Sequence, residues 1–115
     1  LTYIHIFVYV YLNMNTAQAK ARADLLKALA HPTRVLMLDE LSRGDRSVND
    51  LRRLAAASQP TISRHLDRLK KAGIVTERRV GPRVIHHLAC PCMLQALSCT
   101  LEALKSVKKR QADIV

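Results

Sequence analysis

The sequence predicts a mainly α-helical domain with one small β-hairpin, arranged as a winged helix-turn-helix. Through most of the chain, apolar residues recur at helical spacing. The spacing changes to that of strands only in residues 74–88, on either side of Gly81-Pro82. The three glycines and four prolines all fall where a predicted element begins or ends.

Two helices are predicted before the helix-turn-helix. Thr16 is expected to cap a first helix that runs to about Ala30. Pro32 suits the first turn of a second helix, and Gly44 ends it. The apolar face of this second helix is predicted to consist of Val35, Leu36, Leu38 and Leu41.

The helix-turn-helix is predicted from two caps and one apolar stripe. Ser47 and Asp50 form a capping-box variant before a short helix that runs to about Ala57. Ser58 caps the next helix, which ends at Gly73. The inward stripe of this second helix, at positions i, i+4 and i+7, is Ile62, Leu66 and Leu69.

A hairpin and a long helix complete the predicted domain. Residues 74–80 and 83–88 read as two strands, and His86 and His87 then point to opposite faces of the sheet as structural or surface residues. A last helix is predicted from about Pro91 to Arg110. The domain is therefore expected to cover residues 14–110, followed by a frayed tail at 111–115.

The first thirteen residues differ in composition from the rest. Residues 1–12 are apolar but too short for a membrane-spanning helix, and they hold all four aromatic residues of the chain. We interpret residues 1–13 as upstream sequence, with the natural start at Met14. The alternatives are a β-arm that pairs with a neighbour, and a signal peptide cleaved near Ala17-Gln18-Ala19.

Three cysteines do not form a secreted disulfide framework, so we expect a cytoplasmic protein with no membrane partner.

The charge distribution favours double-stranded DNA as the partner. The 115 residues carry a net charge of +10, and residues 43–83, with eleven basic and four acidic side chains, supply +7 of it. Such a concentration suits the neutralisation of phosphates. After Tyr11 there is no aromatic residue on which an unpaired base could stack, which weakens a single-stranded partner.

The predicted second helix of the helix-turn-helix presents the residues that would read DNA. With its apolar stripe inward, Arg64 and Arg68 point outward, and Thr61 and Ser63 flank them. Arg64 could read guanine, and Gln59 could read adenine. The predicted contacts from the hairpin are Arg79 and Arg83.

Three segments resemble a known family. LLKALAHPTRVLMLDEL, then SQPTISRHLDRLKKAGIV, then a short basic hairpin are similar in order and spacing to the ArsR/SmtB winged-helix repressors, from about Leu25 to Leu88. The resemblance implies a homodimer joined through its first and last helices, and an operator that is released when an inducer, usually a metal or metalloid, binds. It also implies that the side chains facing the operator are Gln59, Thr61, Ser63, Arg64 and His65.

The inducer site of such a protein would have to lie at the three cysteines. The family's Cys-x-Cys metalloid site matches residues 47–51 here, which hold no thiol, and its zinc-type site on the last helix lacks histidine. Cys90, Cys92 and Cys99 remain, and soft thiolates select thiophilic ions. The sequence therefore predicts trivalent arsenic or antimony as the inducer, with no organic cofactor.

Spacing leaves the arrangement of these thiols open. Within one helix, Cys92 and Cys99 lie roughly 10 Å apart along the axis, too far for one small ion to bridge. The first turn could unwind around Pro91, Cys99 could come from the other subunit, or only Cys90 and Cys92 could bind. A dithiol switch that responds to oxidants or reactive sulfur is the alternative function. A thiol enzyme or metal carrier is disfavoured because no catalytic base accompanies the cysteines, so we predict a non-enzyme.

Overall fold

The structure is a computed structural model that describes residues 14–114. It contains five helices and three short strands, and the sheet has the antiparallel order β1-β3-β2. The elements in chain order are α1 (Thr16–Leu29), α2 (Pro32–Leu41), β1 (Arg46–Ser47), α3 (Val48–Ala55), α4 (Gln59–Lys71), β2 (Val75–Val80), β3 (Arg83–Leu88) and α5 (Cys92–Ile114). This is the predicted winged helix-turn-helix: α3 and α4 form the helix-turn-helix, and β2 and β3 form the wing. The predictions for residues 1–13 lie outside the described residues.

The cap of α1 lies one residue earlier than predicted. Asn15, not Thr16, accepts a hydrogen bond from the Gln18 backbone N–H at 2.8 Å, and the Gln18 side chain accepts one from the Asn15 N–H at 2.9 Å. Asn15 has extended backbone angles, whereas Thr16 is already helical. The reciprocal pair satisfies two of the N–H groups left over at a helix start.

The predicted apolar face of α2 is half wrong. Leu38 and Leu41 are buried, but Val35 and Leu36 are exposed. The inward positions are instead Met37 and Arg34, which lie on the same side of a 3.6-residue helix as the two leucines. Because Val35 and Leu36 fall on the opposite side, they remain apolar surface in the single chain.

The caps predicted for the helix-turn-helix are confirmed. Ser47 and Asp50 form the reciprocal capping box of α3, and Ser58 caps α4. At the end of α4, the Ile74 N–H donates to Leu69 O at 3.0 Å, and the Gly73 N–H donates to Lys70 O at 2.9 Å. This Schellman motif requires the positive φ of Gly73 (+76°), and it is followed directly by Ile74, which is buried in the core.

The wing has the predicted two strands, joined by a two-residue turn at Gly81-Pro82. Gly81 has φ +61°, as the first central residue of a type II′ hairpin turn requires. The sequence did not indicate β1, in which Arg46 and Ser47 pair with His86 and Ile85. Two residues are too few to show an alternating pattern, and this short strand fastens the wing to the start of α3.

Twelve apolar residues form the core, and none of them belongs to α5. They run from Ala28 to Leu88, and the predicted stripe of α4 is fully buried among them. From α5 only Met93, Leu94 and Leu97 pack partly against this core.

Helix α5 continues four residues beyond the predicted end at Arg110, because residues 111–114 contain no glycine or proline to stop it. Fraying of the last residues stays a prediction. No helix within residues 14–114 is long and apolar enough to span a bilayer.

Candidate nucleic-acid interface

The outer surface of α4 presents the predicted reading residues. Gln59, Ser63 and Arg64 are all exposed on this helix. Gln59 also lines a cleft of about 250 Å³ between α3 and the wing, together with Asn49 and Arg83. The structure therefore brings the predicted adenine-reading residue next to a predicted wing residue. That these side chains contact DNA stays a prediction.

Thr61 is half-buried and belongs to the start of α4. Its hydroxyl lies 2.9 Å from the Ser58 hydroxyl, and its backbone N–H donates to Ser58 Oγ at 3.4 Å. The Arg64 guanidinium reaches back to the Thr61 hydroxyl at 3.5 Å. Thr61 thus helps to hold the Arg64 side chain along the surface of the helix.

His65 points away from the exposed surface of α4, although the family resemblance implied that it faces the operator. Its ring is half-buried, and its Nδ1 lies 3.1 Å from a guanidinium nitrogen of Arg34 on α2. The His31 ring lies beside it, with 4.3 Å between the ring centroids. Burial lowers the pKa of His65, and the neighbouring cations lower it further. A DNA contact by His65 stays a prediction.

Two carboxylates fasten the wing to the rest of the domain. Asp45 accepts from Arg78 at 3.1 Å and pairs with His87 Nδ1 at 2.7 Å, so one side chain holds both wing strands. The hydrogen bond from His87 is the main reason that the pKa of Asp45 is lowered. Asp50 lies 3.5 Å from Arg83, which also donates to Ser47 Oγ at 3.1 Å. These contacts fix the position of a predicted DNA-contacting arginine before DNA is present.

The two wing histidines face opposite sides of the sheet, as the strand prediction requires. His86 is 3% exposed and lies 3.3 Å from Glu77, whereas the side chain of His87 is largely exposed. Burial lowers the pKa of His86. His86 is therefore a structural residue under α4, and His87 is part of the wing attachment.

The basic side chains divide into paired and unpaired sets. Arg43, Arg46, Lys70, Arg78 and Arg83 each lie within 4 Å of a carboxylate. Other cations on the same surface have no such ion pair among residues 14–114. This unpaired set consists of Arg52, Arg53, Arg64, Arg68, Lys71 and Arg79. Because these side chains are in no ion pair with a carboxylate, they can bind phosphates without breaking an existing ion pair.

The three predicted inducer-binding thiols lie at one end of the domain but do not form a cluster. Cys90 is half-buried in the loop before α5, and its thiol lies 3.5 Å from the Gly73 carbonyl oxygen. Cys92 begins α5, Cys99 lies two turns further along, and both are exposed. Within the described part of a single chain, no three His, Cys, Asp or Glu side chains are placed to hold a metal ion.

Sequence reasoning missed two residues that organise this interface. Arg34 is 8% exposed although it carries a charge, and Asp45 joins the wing to the loop after α2. The signal for Arg34 was present in the helical spacing, which places it with Leu38 and Leu41. Nothing in the sequence near Asp45 indicated its partners, which lie 33 and 42 positions away.

The sequence is similar to those of known bacterial transcription regulators. The family described as bacterial regulatory protein, arsR family, matches residues 31–77. The biofilm growth-associated repressor of Agrobacterium fabrum is 42% identical over 67 residues, which are 58% of this chain and 57% of that protein. An uncharacterized HTH-type transcriptional regulator of Mycobacterium tuberculosis, Rv0081, is 34% identical over 87 residues, covering 75% of this chain and 76% of its own length. The chain thus spans little more than half of the first of these two relatives.

Solved structures show the same arrangement of elements. The crystal structure of M. tuberculosis Rv0081 superposes with a TM-score of 0.75 at 30% identity, over 85% of this chain and 99% of that one. The antimony-specific transcriptional repressor AntR has a TM-score of 0.71 at 28% identity, over 84% and 88%. The homodimeric winged helix-turn-helix domain Mb0332 of Mycobacterium bovis has a TM-score of 0.70 at 25% identity, over 85% and 94%.

Proposed function

Because this chain belongs to the ArsR family of bacterial regulatory proteins, we propose that it is a homodimeric repressor that trivalent arsenic or antimony releases from operator DNA. The inducer binds Cys90, Cys92 and Cys99. The family consists of DNA-binding transcription regulators, which are not enzymes. The homodimer, the inducer, its ligands and a cytoplasmic location are the parts of this function that we propose.

The position of the thiols carries the proposal. The chain's three cysteines all lie at or in α5, the one described helix that has no fully buried residue. Three soft thiolates favour a thiophilic ion over a hard cation, and they are one ligand short of the four that structural zinc sites use. AntR, which shares the fold over most of this chain, is described as antimony-specific.

The homodimer is supported by the apolar surface that α5 leaves uncovered. This 23-residue helix is about 35 Å long, yet residues 98–113 are all exposed in the single chain. Leu101 and Leu104 are 54% and 63% exposed, and Leu26 of α1 is 56% exposed. Packing these first and last helices against a second copy would bury apolar surface that a single chain leaves in water.

The homodimer also offers a way to complete the thiol site. Cys92 and Cys99 lie on one face of α5, and two antiparallel copies of the helix crossing near Ala96 would bring Cys92 of one chain close to Cys99 of the other. The site is then intersubunit, or it forms when the start of α5 rearranges around Pro91. Either route couples inducer binding to the helix that joins the two DNA-reading surfaces.

A second candidate function is favoured by the absence of a three-thiol cluster within the described single chain. Two accessible thiols are enough for a redox switch. A peroxide that takes two electrons and two protons from a pair of these thiols would leave a disulfide and reduced oxidant. Cys90 and Cys92, separated by one residue, are one possible pair, and Cys92 and Cys99 are the other.

Fluorescence anisotropy on DNA separates the two functions. A duplex selected by the protein from a random library is labelled, and arsenite, antimonite, zinc, cadmium, peroxide and a persulfide are added in turn under otherwise reducing conditions. Release by arsenite or antimonite, lost in Cys92→Ser and Cys99→Ser, supports the proposal. Release by peroxide or persulfide alone, reversed by reductant, contradicts it and supports the redox switch.

Mixed dimers test whether the site is shared between subunits. If it is shared, a heterodimer of Cys92→Ser and Cys99→Ser chains keeps one complete site and regains about half of the wild-type inducer binding. Heterodimers that bind no arsenite, from chains that still dimerise and bind DNA, would exclude the intersubunit arrangement.

A further inference from the structure

The guanidinium of Arg34 joins three helices beneath the recognition helix α4. It is more than nine-tenths buried on α2, where one of its nitrogens lies 3.1 Å from His65 Nδ1 of α4. Another nitrogen donates to the carbonyl oxygen of Lys27 in α1 at 3.4 Å. The Nε of Arg34 is buried and has no partner among the described residues. The contact to His65 is therefore one of only two that compensate this buried charge.

The chemistry of the pair fixes the protonation of His65. A guanidinium can only donate hydrogen bonds, so His65 Nδ1 must accept and must carry a lone pair. The single ring proton of His65 then lies on Nε2, and the ring is neutral. His31 has the same tautomer for a similar reason, because its Nδ1 accepts from the Thr33 backbone N–H at 3.1 Å.

Most of the charged side chains around His65 are cations. On α2, His65 faces the Arg34 guanidinium and the His31 ring, and Arg34 in turn donates to the Lys27 carbonyl oxygen of α1. From α4 itself, Arg64 acts on it, and the cavity of about 500 Å³ that it lines also holds Arg68 and Lys71. The one acid lining this cavity is Asp67, whose carboxylate lies 3.5 Å from the Lys70 ammonium. Among residues 14–114, no unpaired carboxylate lines this cavity to stabilise a proton added to His65.

We propose that Arg34 and His65 are positioning residues that hold the recognition helix α4 in place against α2. Protonation of His65 breaks this contact and displaces α4, so that acid weakens DNA binding. Protonation places an N–H where Arg34 needs an acceptor, and two cations then meet in a half-buried site. The inference rests on DNA binding through α4, which the family supports, and not on the proposed inducer or its thiols.

The sign of the pH effect separates this role from a DNA contact. Burial and the neighbouring cations lower the pKa of His65, so the folded state favours the neutral ring. The positioning contact is intact above the ordinary histidine pKa of about 6.5 and is lost as the pH falls through the lower pKa that His65 has in the folded protein. A histidine that faced operator phosphates would behave in the opposite way, because its protonation would add a cation and strengthen binding.

The test measures DNA affinity between about pH 7.5 and pH 5.5 at constant ionic strength, on a duplex selected at the higher pH without metal or oxidant. Wild type is expected to weaken by up to about tenfold, because His65 titrates only below the ordinary histidine pKa of about 6.5 and one group changes affinity by at most tenfold per pH unit. His65→Gln keeps a side-chain oxygen that accepts from Arg34 but does not titrate. It is expected to bind like wild type near neutral pH and to lose most of the acid effect. His87→Gln removes a histidine outside this cavity, and it should keep the acid effect when its affinity at each pH is compared with its own affinity at pH 7.5.

Two results would overturn the inference. One is an acid effect of equal size in wild type and His65→Gln; the other is tighter binding by wild type in acid. If His65→Gln does not fold, nitrogen NMR of wild-type His65 still decides the question. A ring protonated only on Nε2 at neutral pH supports the proposal, whereas a proton on Nδ1 excludes acceptance from Arg34. Because no inducer is present, these outcomes leave the proposed metalloid response untouched.

Discussion

The body of the domain and its last helix are built in opposite ways. The body, residues 16–88, holds all twelve buried apolar residues, and its ion pairs and caps join one element to the next. In α5 nothing described is fully buried, and its one ion pair, Lys105–Glu102, lies along the helix itself. The core contacts of the single chain therefore lie in the body, whereas most of the surface of α5 is left exposed to solvent.

The largest expected effect contrasts two leucines, one in each region. Leu66 is 2% exposed, so Leu66→Ala should lower the free energy of unfolding by about 2–5 kcal/mol in urea denaturation. Leu104 is 63% exposed, so Leu104→Ala should cost little at low protein concentration. Its cost should grow with concentration if a second copy covers it. A large cost that is independent of concentration would break the comparison.

A smaller effect concerns charge, and again one residue is taken from each region. Arg79 on the wing has no ion pair among the described residues, and Arg79→Ala should weaken DNA binding by roughly tenfold and reduce the salt slope by about one. Lys109→Ala removes the same charge from α5 and should leave both quantities unchanged. If both variants change the slope equally, the DNA footprint extends onto α5 and is not confined to the body.

The smallest effect uses one substitution at two serines. Ser47 caps α3, so Ser47→Ala should cost about 1 kcal/mol of stability. Ser98 is exposed in the middle of α5, where alanine is the better helix former by about 0.5 kcal/mol. Thermal unfolding should therefore shift down for the first variant and stay level or rise for the second. A loss at Ser98 equal to that at Ser47 would show that Ser98 has a partner in the assembled protein.

The same cap predicts a pH dependence within the body. The backbone N–H of Ser47 is the main reason that the pKa of Asp50 is lowered from its ordinary value of 3.8. Its contribution to stability is complete above that value and is lost as the pH falls through the lower folded pKa. Asp50→Asn should flatten the decline of stability below about pH 4, as measured by denaturation at successive pH values.

The sequence predicted the body better than the site because of where the relevant contacts lie. The caps at Ser47 and Ser58, the stripe of α4 and the Gly81-Pro82 turn all depend on neighbours within a few positions, so local patterns reveal them. The burial of Arg34 and the inward direction of His65 depend on each other across 31 positions. Counting arginine as polar hides the helical spacing that places Arg34 with Leu38 and Leu41, and nothing local indicates that the His65 ring turns towards Arg34.

The proposed thiol site could not be predicted beyond its three cysteines for a different reason. The sequence identifies Cys90, Cys92 and Cys99 as the only thiols, and the spacing rules out a single ion held by Cys92 and Cys99 within one straight helix. In the proposed dimer, the packing of α5 against a second copy would bring these thiols together. Local sequence spacing holds no information about that packing.

The purely aliphatic core has a consequence for the optical properties of the protein. Residues 14–114 contain no tryptophan, tyrosine or phenylalanine, so all near-ultraviolet absorption by aromatic side chains comes from Tyr3, Phe7, Tyr9 and Tyr11. A chain that begins at Met14 would be almost transparent in that range. Charge-transfer bands from thiolates to a bound thiophilic ion would then be measured with almost no aromatic absorbance beneath them. Ion binding could be followed by absorbance without a label.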